Sequence, residues 1–183
     1  SSLRRQSQLQ ARLPQLKIES LRGNLQTRLR KLDEGQYAAI ILAAAGLIRL
    51  GLQARIRSVI APELSIPAVG QGALGIEISS NRPDLHAVLA PLNHADTQAC
   101  VEAERAMSRA LAGSCTVPLG AYATCQGDDL SITGFVGSVD GTQMLVEKAT
   151  AKRHQADALG KQLATQLIAK GADRILAALD GHK

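Results

Sequence analysis

Aromatic residues are nearly absent from this sequence, which contains two tyrosines, one phenylalanine and no tryptophan among 183 residues. A folded core must therefore consist mainly of leucine, isoleucine, valine and alanine, and the 45% hydrophobic content is typical of a globular protein of one or two domains. The scarcity also argues against binding of single-stranded nucleic acid, because such proteins stack bases on aromatic side chains placed among basic residues.

Long apolar runs and metal-binding cysteine spacings are missing as well. The longest apolar run, at residues 38–48, is too short to cross a bilayer and contains a glycine. The three cysteines, Cys100, Cys115 and Cys125, include no C-x-x-C pair, and the four histidines are scattered. No leader peptide is visible either. We therefore expect a cytoplasmic protein with reduced thiols, no metal site and no membrane association.

Basic residues are in excess, and the formal net charge is +5. This charge suits an anionic partner such as nucleic acid, a membrane surface or a polycarboxylate. Arg4 and Arg5 fall in the first turns of a predicted helix over residues 1–13, where cations oppose the helix dipole. Either an anion docks at this helix start or the arginines belong to a solvated charged face, and the pattern alone leaves both open.

The first third of the chain alternates predicted strands with predicted helices. The segments are strand 17–20, helix 24–34, strand 37–43 and helix 44–50. This order predicts an α/β fold with a parallel sheet. Ligands bind such sheets at the carboxyl ends of the strands, so Arg22 and Arg49, which each follow a predicted strand, should converge there.

The second half has the pattern of a small α+β domain. We predict helices at 81–92, 95–112, 156–170 and 173–179 and a three-stranded antiparallel sheet of strands 117–125, 130–139 and 144–150. A glycine-rich stretch at 68–75 lies before them, followed by a possible edge strand at 74–78. The predicted domains are therefore 1–67 (central α/β), 68–93 (connection) and 94–183 (C-terminal α+β).

Cys115 occupies an unusual loop, within Leu111-Ala-Gly-Ser-Cys-Thr-Val-Pro-Leu-Gly-Ala-Tyr-Ala123. A predicted helix ends before the cysteine and a predicted strand follows it, so the thiol could be presented to a ligand. Free cysteine also packs as a small buried hydrophobe, and the loop alone does not decide between these roles.

Four blocks of the sequence, in order, resemble porphobilinogen deaminase, also called hydroxymethylbilane synthase. They are Ser1-Ser-Leu-Arg-Arg-Gln6, Leu21-Arg-Gly-Asn-Leu-Gln-Thr-Arg28, Ala68-Val-Gly-Gln-Gly-Ala-Leu-Gly-Ile-Glu77 and the Cys115 loop. The third block lacks the Lys-Ser/Thr ending of a phosphate loop and does not fit G-x-G-x-x-G, so a nucleotide site is not expected.

The resemblance implies a transferase of heme biosynthesis that condenses four porphobilinogen units, with loss of ammonia, into hydroxymethylbilane. It implies a dipyrromethane cofactor attached covalently to Cys115, with Ser2, Arg4, Arg5 and Arg28 binding the cofactor and Arg22 and Arg49 binding substrate and the growing pyrrole chain. It also implies a periplasmic-binding-protein-like architecture for the parallel part and a monomeric parent protein.

The family's catalytic acid is an aspartate of its N-terminal domain, and no aspartate here matches it. The resemblance therefore implies that this chain is a C-terminal fragment without catalytic residues, inactive alone, with its own N-terminal domain as partner. Two alternatives remain: a non-catalytic anion- or nucleic-acid-binding module, and a periplasmic-type receptor for small anions. The Cys115 loop argues against the first, and the lack of a visible export signal argues against the second.

Overall fold

The computed structural model describes residues 2–111 and 117–180. Those residues form seven α-helices and three β-strands: α1 (Leu3–Arg12), α2 (Leu25–Asp33), α3 (Ala44–Arg49), α4 (Pro83–Leu89), α5 (Ala95–Ala110), β1 (Leu119–Gln126), β2 (Asp129–Gly137), β3 (Met144–Lys152), α6 (Ala156–Ala169) and α7 (Ala172–Asp180). Among them, none of the helices combines the length and hydrophobicity that crossing a bilayer requires.

The strands form one antiparallel sheet in the order β1-β2-β3, as the sequence predicted. Leu119 lies opposite Val136 across the first pair, and Gly137 lies opposite Met144 across the second. The hairpin after β1 contains Gly127, whose φ of 61° is in the left-handed region that favours glycine. Glycine therefore suits the turn between β1 and β2.

Helices α5 and α6 cover one face of this sheet and supply most of the core. Met107, Leu159 and Leu163 are fully buried there, and the rest of the packing is aliphatic, as the composition required. The two helices approach closely at Gly160, where a Cβ atom would stand 2.1 Å from the carbonyl oxygen of Ala103.

Side chains cap the first two helices. The Ser2 hydroxyl accepts from the backbone N–H of Arg5 at 3.4 Å, and the Asn24 side-chain oxygen accepts from that of Thr27 at 2.8 Å. Such caps satisfy amides that have no partner within the helix. Helix α1 ends just before Pro14, which cannot continue it.

The predicted parallel sheet does not form among the described residues. No strand is present at 17–20, 37–43 or 74–78, although each has a strand-like sequence. A strand is stable only when a neighbour accepts and donates its backbone hydrogen bonds, and no described segment does so for these three. The segment at 74–78 is exposed rather than an edge strand, with 95% of the Leu74 surface accessible.

Helix α1 is anchored to the antiparallel sheet and to the segment around Ile66. Ser7 is completely buried, and its hydroxyl donates to the Met144 sulfur at 3.3 Å. The buried Gln8 side chain accepts from the Ile66 N–H at 2.7 Å and donates to the Ile66 carbonyl at 3.1 Å. The position of Arg4 and Arg5 relative to β2 and β3 is therefore set by buried contacts.

Candidate functional site

Three arginines from two helices line one cavity of about 630 Å³. Arg4 and Arg5 come from the first turn of α1, and Arg28 comes from α2. Ser2, the cap of α1, lies on the same wall. The structure therefore brings together all four described residues that were predicted to bind a cofactor.

The three guanidinium groups have only neutral acceptors among the described residues. Arg4 Nη1 donates to Ile66 O at 2.8 Å, Arg5 Nη1 to Ile41 O at 3.1 Å and Arg28 Nε to Gly23 O at 2.8 Å. None of the three forms an ion pair within residues 2–111 and 117–180. Carbonyl oxygens orient the guanidinium groups without neutralising their charge.

Burial and mutual repulsion both act on this arginine cluster, formed by Arg4, Arg5 and Arg28. Burial lowers the pKa of Arg4, and the neighbouring Arg5 lowers it further. Burial lowers the pKa of Arg5 in the same way, with Arg28 as the second cause. Like charges held together in a half-buried cavity favour an anion with several negative groups, because each would relieve part of the repulsion.

Two other arginines in this part of the chain form ion pairs. Arg30 pairs with Glu34 at 2.6 Å, and Arg55 pairs with Asp33 at 2.5 Å. Both pairs are exposed. The cluster differs from the other arginines without a carboxylate partner in the described chain, such as Arg22 and Arg49, in that Arg4 and Arg5 are half-buried and share one cavity with Arg28.

Among the described residues that line the cavity, Glu19 alone carries a carboxylate. It pairs with Lys17 at 2.6 Å, and a hydrogen bond to Glu19 raises the pKa of that lysine. The two charges offset each other, so the cavity keeps a net positive charge. Neither residue was singled out from the sequence, because an exposed Lys-x-Glu pair has no distinguishing pattern.

Arg22 and Arg49 do not line the cavity. Both side chains are exposed, and neither has a hydrogen bond or ion pair in the part of the chain that the structure describes. The predicted convergence depended on parallel strands ending at one edge, and those strands do not form here. A substrate role for these two arginines stays a prediction.

Cys115 lies outside the described residues. The strand that follows it in sequence reaches the arginine cluster, because a Cβ atom at Gly120 of β1 would stand 3.1 Å from Cδ of Arg4 and 2.5 Å from the Pro67 carbonyl oxygen. Only glycine permits this approach of β1 to α1. The chain downstream of Cys115 is thereby packed directly on the arginine-bearing helix.

Glu104 has a role that the sequence did not reveal. Its carboxylate is buried and accepts from the Gly70 N–H at 2.7 Å and the Ala123 N–H at 2.8 Å. Burial raises its pKa, and the two backbone bonds only partly offset this effect. Glu104 thus joins the glycine-rich stretch to β1. The sequence feature that could have revealed this role is a carboxylate on an otherwise apolar face of its helix.

The described residues contain no group of three or more histidine, cysteine, aspartate or glutamate side chains suited to a metal ion. The arrangement is that of an α/β protein with a cationic cavity lined by three arginine side chains.

Comparisons with known proteins identify the family of this chain. The model described as "Porphobilinogen deaminase, dipyromethane cofactor binding domain" matches residues 1–87, and "Porphobilinogen deaminase, C-terminal domain" matches residues 98–169. The two matches together span most of the chain. The chain belongs to the porphobilinogen deaminase family.

Curated relatives support the same assignment. Porphobilinogen deaminase of Methylobacillus flagellatus is 72% identical over 179 residues, that of Nitrosomonas europaea is 59% identical and that of Neisseria meningitidis is 56% identical. Each alignment covers 98% of this chain and 58% of the relative. The finer expectation of a C-terminal fragment is not shown by these matches, since the cofactor-binding domain model covers residues 1–87.

Proposed function

We propose that this chain holds a dipyrromethane cofactor on Cys115 and binds its carboxylates with Ser2, Arg4, Arg5 and Arg28. The proposed activity is that of the family: four porphobilinogen units are condensed, with loss of ammonia, into hydroxymethylbilane for heme biosynthesis. The observation that carries the proposal is the arginine cluster, in which the half-buried guanidinium groups of Arg4 and Arg5 and that of Arg28 have no carboxylate partner among the described residues.

The residues present fit such a cofactor. Acetate and propionate side chains make every pyrrole unit a dicarboxylate, and arginine forks bind carboxylates through paired hydrogen bonds while remaining charged. The contact of Gly120 with Arg4 supports a position of the Cys115 loop beside the cluster. When bound, the dipyrromethane supplies the covalent primer on which the pyrrole chain grows.

The proposed division of labour follows the predicted domains. Residues 1–67 carry the cofactor- and substrate-binding arginines, residues 68–93 connect, and residues 94–183 carry Cys115 on an α+β domain. We further propose that this chain associates with a polypeptide that corresponds to the part of the relatives that it does not span. That polypeptide would supply neighbouring strands for segments 17–20 and 37–43 in a periplasmic-binding-protein-like sheet. The free thiols of Cys100 and Cys125 favour a cytoplasmic location.

The test uses a chimaera in which this chain replaces the matching 58% of the Methylobacillus flagellatus relative. The purified chimaera is expected to carry the mass of one dipyrromethane, and Cys115→Ser is expected to lose it. Cys125→Ser, which changes a cysteine on the same domain, should retain the added mass. Retention of the added mass by Cys115→Ser, or its absence from the unmodified chimaera, would contradict the proposal.

The chain alone is expected not to form hydroxymethylbilane. Protonation of the leaving amine needs a carboxyl group near the reacting pyrrole, and the carboxylate found among the described residues of the cavity wall is already paired with Lys17. A turnover assay with porphobilinogen compares the mass-verified 183-residue chain with the chimaera. Equal turnover per molecule would show that the required acid lies within this chain.

Loss of Arg22 or Arg49 is expected to slow turnover while leaving the cofactor attached. Both guanidinium groups are exposed and unpaired in the described part of the chain, so they are available to carboxylates of incoming substrate. We expect Arg22→Leu and Arg49→Leu in the chimaera to lower kcat/KM by roughly 10- to 100-fold, the value of one charged hydrogen bond.

Intact mass spectrometry of the same preparations checks that the cofactor remains. Arg57→Leu is the matched control, because Arg57 is an exposed arginine of the same region to which we assign no role. Full activity of both variants, or loss of the cofactor from either, would remove Arg22 and Arg49 from the proposed substrate path.

A further inference from the structure

Two cysteines that the proposed function does not use face each other across the interface of helix and sheet. Cys100 lies on α5 and Cys125 on β1, and their sulfur atoms are 3.7 Å apart. The Cys125 thiol also lies 3.7 Å from the Asp96 carbonyl oxygen, to which it can donate. Both residues are partly exposed, so a small oxidant in solution can reach them.

We propose that Cys100 and Cys125 are a modification site, at which hydrogen peroxide closes a reversible disulfide between α5 and β1. A disulfide needs sulfur atoms about 2.05 Å apart, so the two sulfur atoms, which are now 3.7 Å apart, must move slightly closer together. Rotation about χ1 of two side chains already in contact can provide this movement. The inference is independent of the proposed function, because neither thiol belongs to the arginine cluster.

The chemistry balances with peroxide as the oxidant. The Cys125 sulfur attacks one peroxide oxygen, the O–O bond breaks, and a sulfenic acid and one water form. The Cys100 sulfur then attacks the Cys125 sulfur, the S–O bond breaks, and the second water leaves. The two thiols together lose two electrons and two protons, and the peroxide is reduced to two waters.

The surroundings favour this order of attack. Burial raises the pKa of Cys100 to about 12, and the adjacent Cys125 and the acidic Glu104 and Asp96 act in the same direction. Cys100 therefore stays largely protonated at neutral pH, which disfavours it as the first nucleophile toward peroxide, because thiols react with peroxide as thiolates. The proposal rests on the 3.7 Å approach of the two sulfur atoms and is the same whichever thiol is oxidised first.

The disulfide would bracket the segment that carries Cys115. Cys100 and Cys125 are 25 positions apart, and residues 112–116 lie between them. The cross-link would fasten the helix before this segment to the strand after it without consuming Cys115. A disulfide that closes a loop of this length restricts the unfolded chain and thereby raises the melting temperature of a protein of this size by about 5–15 °C.

The test treats the 183-residue chain carrying Cys115→Ser with hydrogen peroxide, then alkylates it under denaturing conditions. We expect the intact mass to fall by two hydrogens, both remaining cysteines to resist alkylation, and a peptide joining residues 100 and 125 to appear. Dithiothreitol should reverse all three, and the oxidised form should melt at a higher temperature than the reduced form.

Two variants keep the test decisive. Cys100→Ser and Cys125→Ser, each in the Cys115→Ser background, should show neither the cross-linked peptide nor the rise in melting temperature. Circular dichroism establishes that they fold. Peroxide treatment that leaves both thiols alkylatable, or oxidises them to separate sulfinic acids without a cross-link, would overturn the proposal.

Discussion

Replacing Arg5 by leucine in the chimaera is expected to reduce the cofactor-loaded fraction by roughly 10- to 100-fold, the value of a half-buried charged hydrogen bond. Arg5 interacts with both other arginines of the cluster: its charge lowers the pKa of Arg4, and the charge of Arg28 lowers the pKa of Arg5. Its removal therefore weakens attraction for every carboxylate in the cavity. Arg4→Leu is expected to have an effect of the same size. Intact mass spectrometry measures the loaded fraction directly.

The variant Arg5→Lys separates the effect of the positive charge from that of the planar guanidinium group. A lysine retains the positive charge but offers no planar fork, so Arg5→Lys should load less cofactor than the unchanged chimaera and more than Arg5→Leu. Arg12→Leu is the matched control on the same helix, because exposed Arg12 bonds only to the Glu63 carbonyl within the described part of the chain. Normal loading of both Arg4→Leu and Arg5→Leu would show that the cluster does not hold the cofactor.

Replacing Gly160 by alanine is expected to destabilise the chain by about 2–3 kcal/mol, although alanine is the better helix former by about 1 kcal/mol. The added Cβ would lie 2.1 Å from the Ala103 carbonyl oxygen and 2.7 Å from the Ala106 Cβ. These atoms belong to the backbone and inner face of α5, so relief requires α5 and α6 to separate. Packing therefore outweighs propensity.

Urea denaturation followed by circular dichroism measures this change in the free energy of unfolding. Gly75→Ala is the matched control, because Gly75 is exposed and a Cβ atom there would meet nothing within 4 Å. The control should alter stability by less than about 0.5 kcal/mol. A Gly160→Ala chain as stable as the unchanged one would mean that the two helices are not in the close contact described.

Local chemistry explains why much of this fold could be predicted from sequence. Ser2 and Asn24 cap their helices because a short oxygen-bearing side chain satisfies free amides. The β1–β2 and β2–β3 hairpins follow from turn residues between alternating segments. The cluster at Arg4 and Arg5 could be anticipated as well, since two cations at a helix start are unfavourable unless an anion compensates them.

Features that depend on distant partners could not be predicted in this way. Segment 37–43 is as apolar as a buried strand, yet strand formation depends on a neighbour that local sequence does not specify. Arg22 and Arg49 were placed by reference to that sheet, which does not form among the described residues, so their convergence stays a prediction. Gln8 and Glu104 bind backbone groups 58 and 34 positions away, and no local spacing records such contacts.

The shared carboxylate of Glu104 ties the local stability of two regions together. Gly70 belongs to the part that matches the cofactor-binding domain, whereas Glu104 and Ala123 belong to the part that matches the C-terminal domain. Opening at either amide leaves a buried carboxylate with half its hydrogen bonds, which makes opening at the other less costly. We therefore expect the two amides to exchange with solvent as members of one cooperative unit that crosses the boundary between the two matched domains.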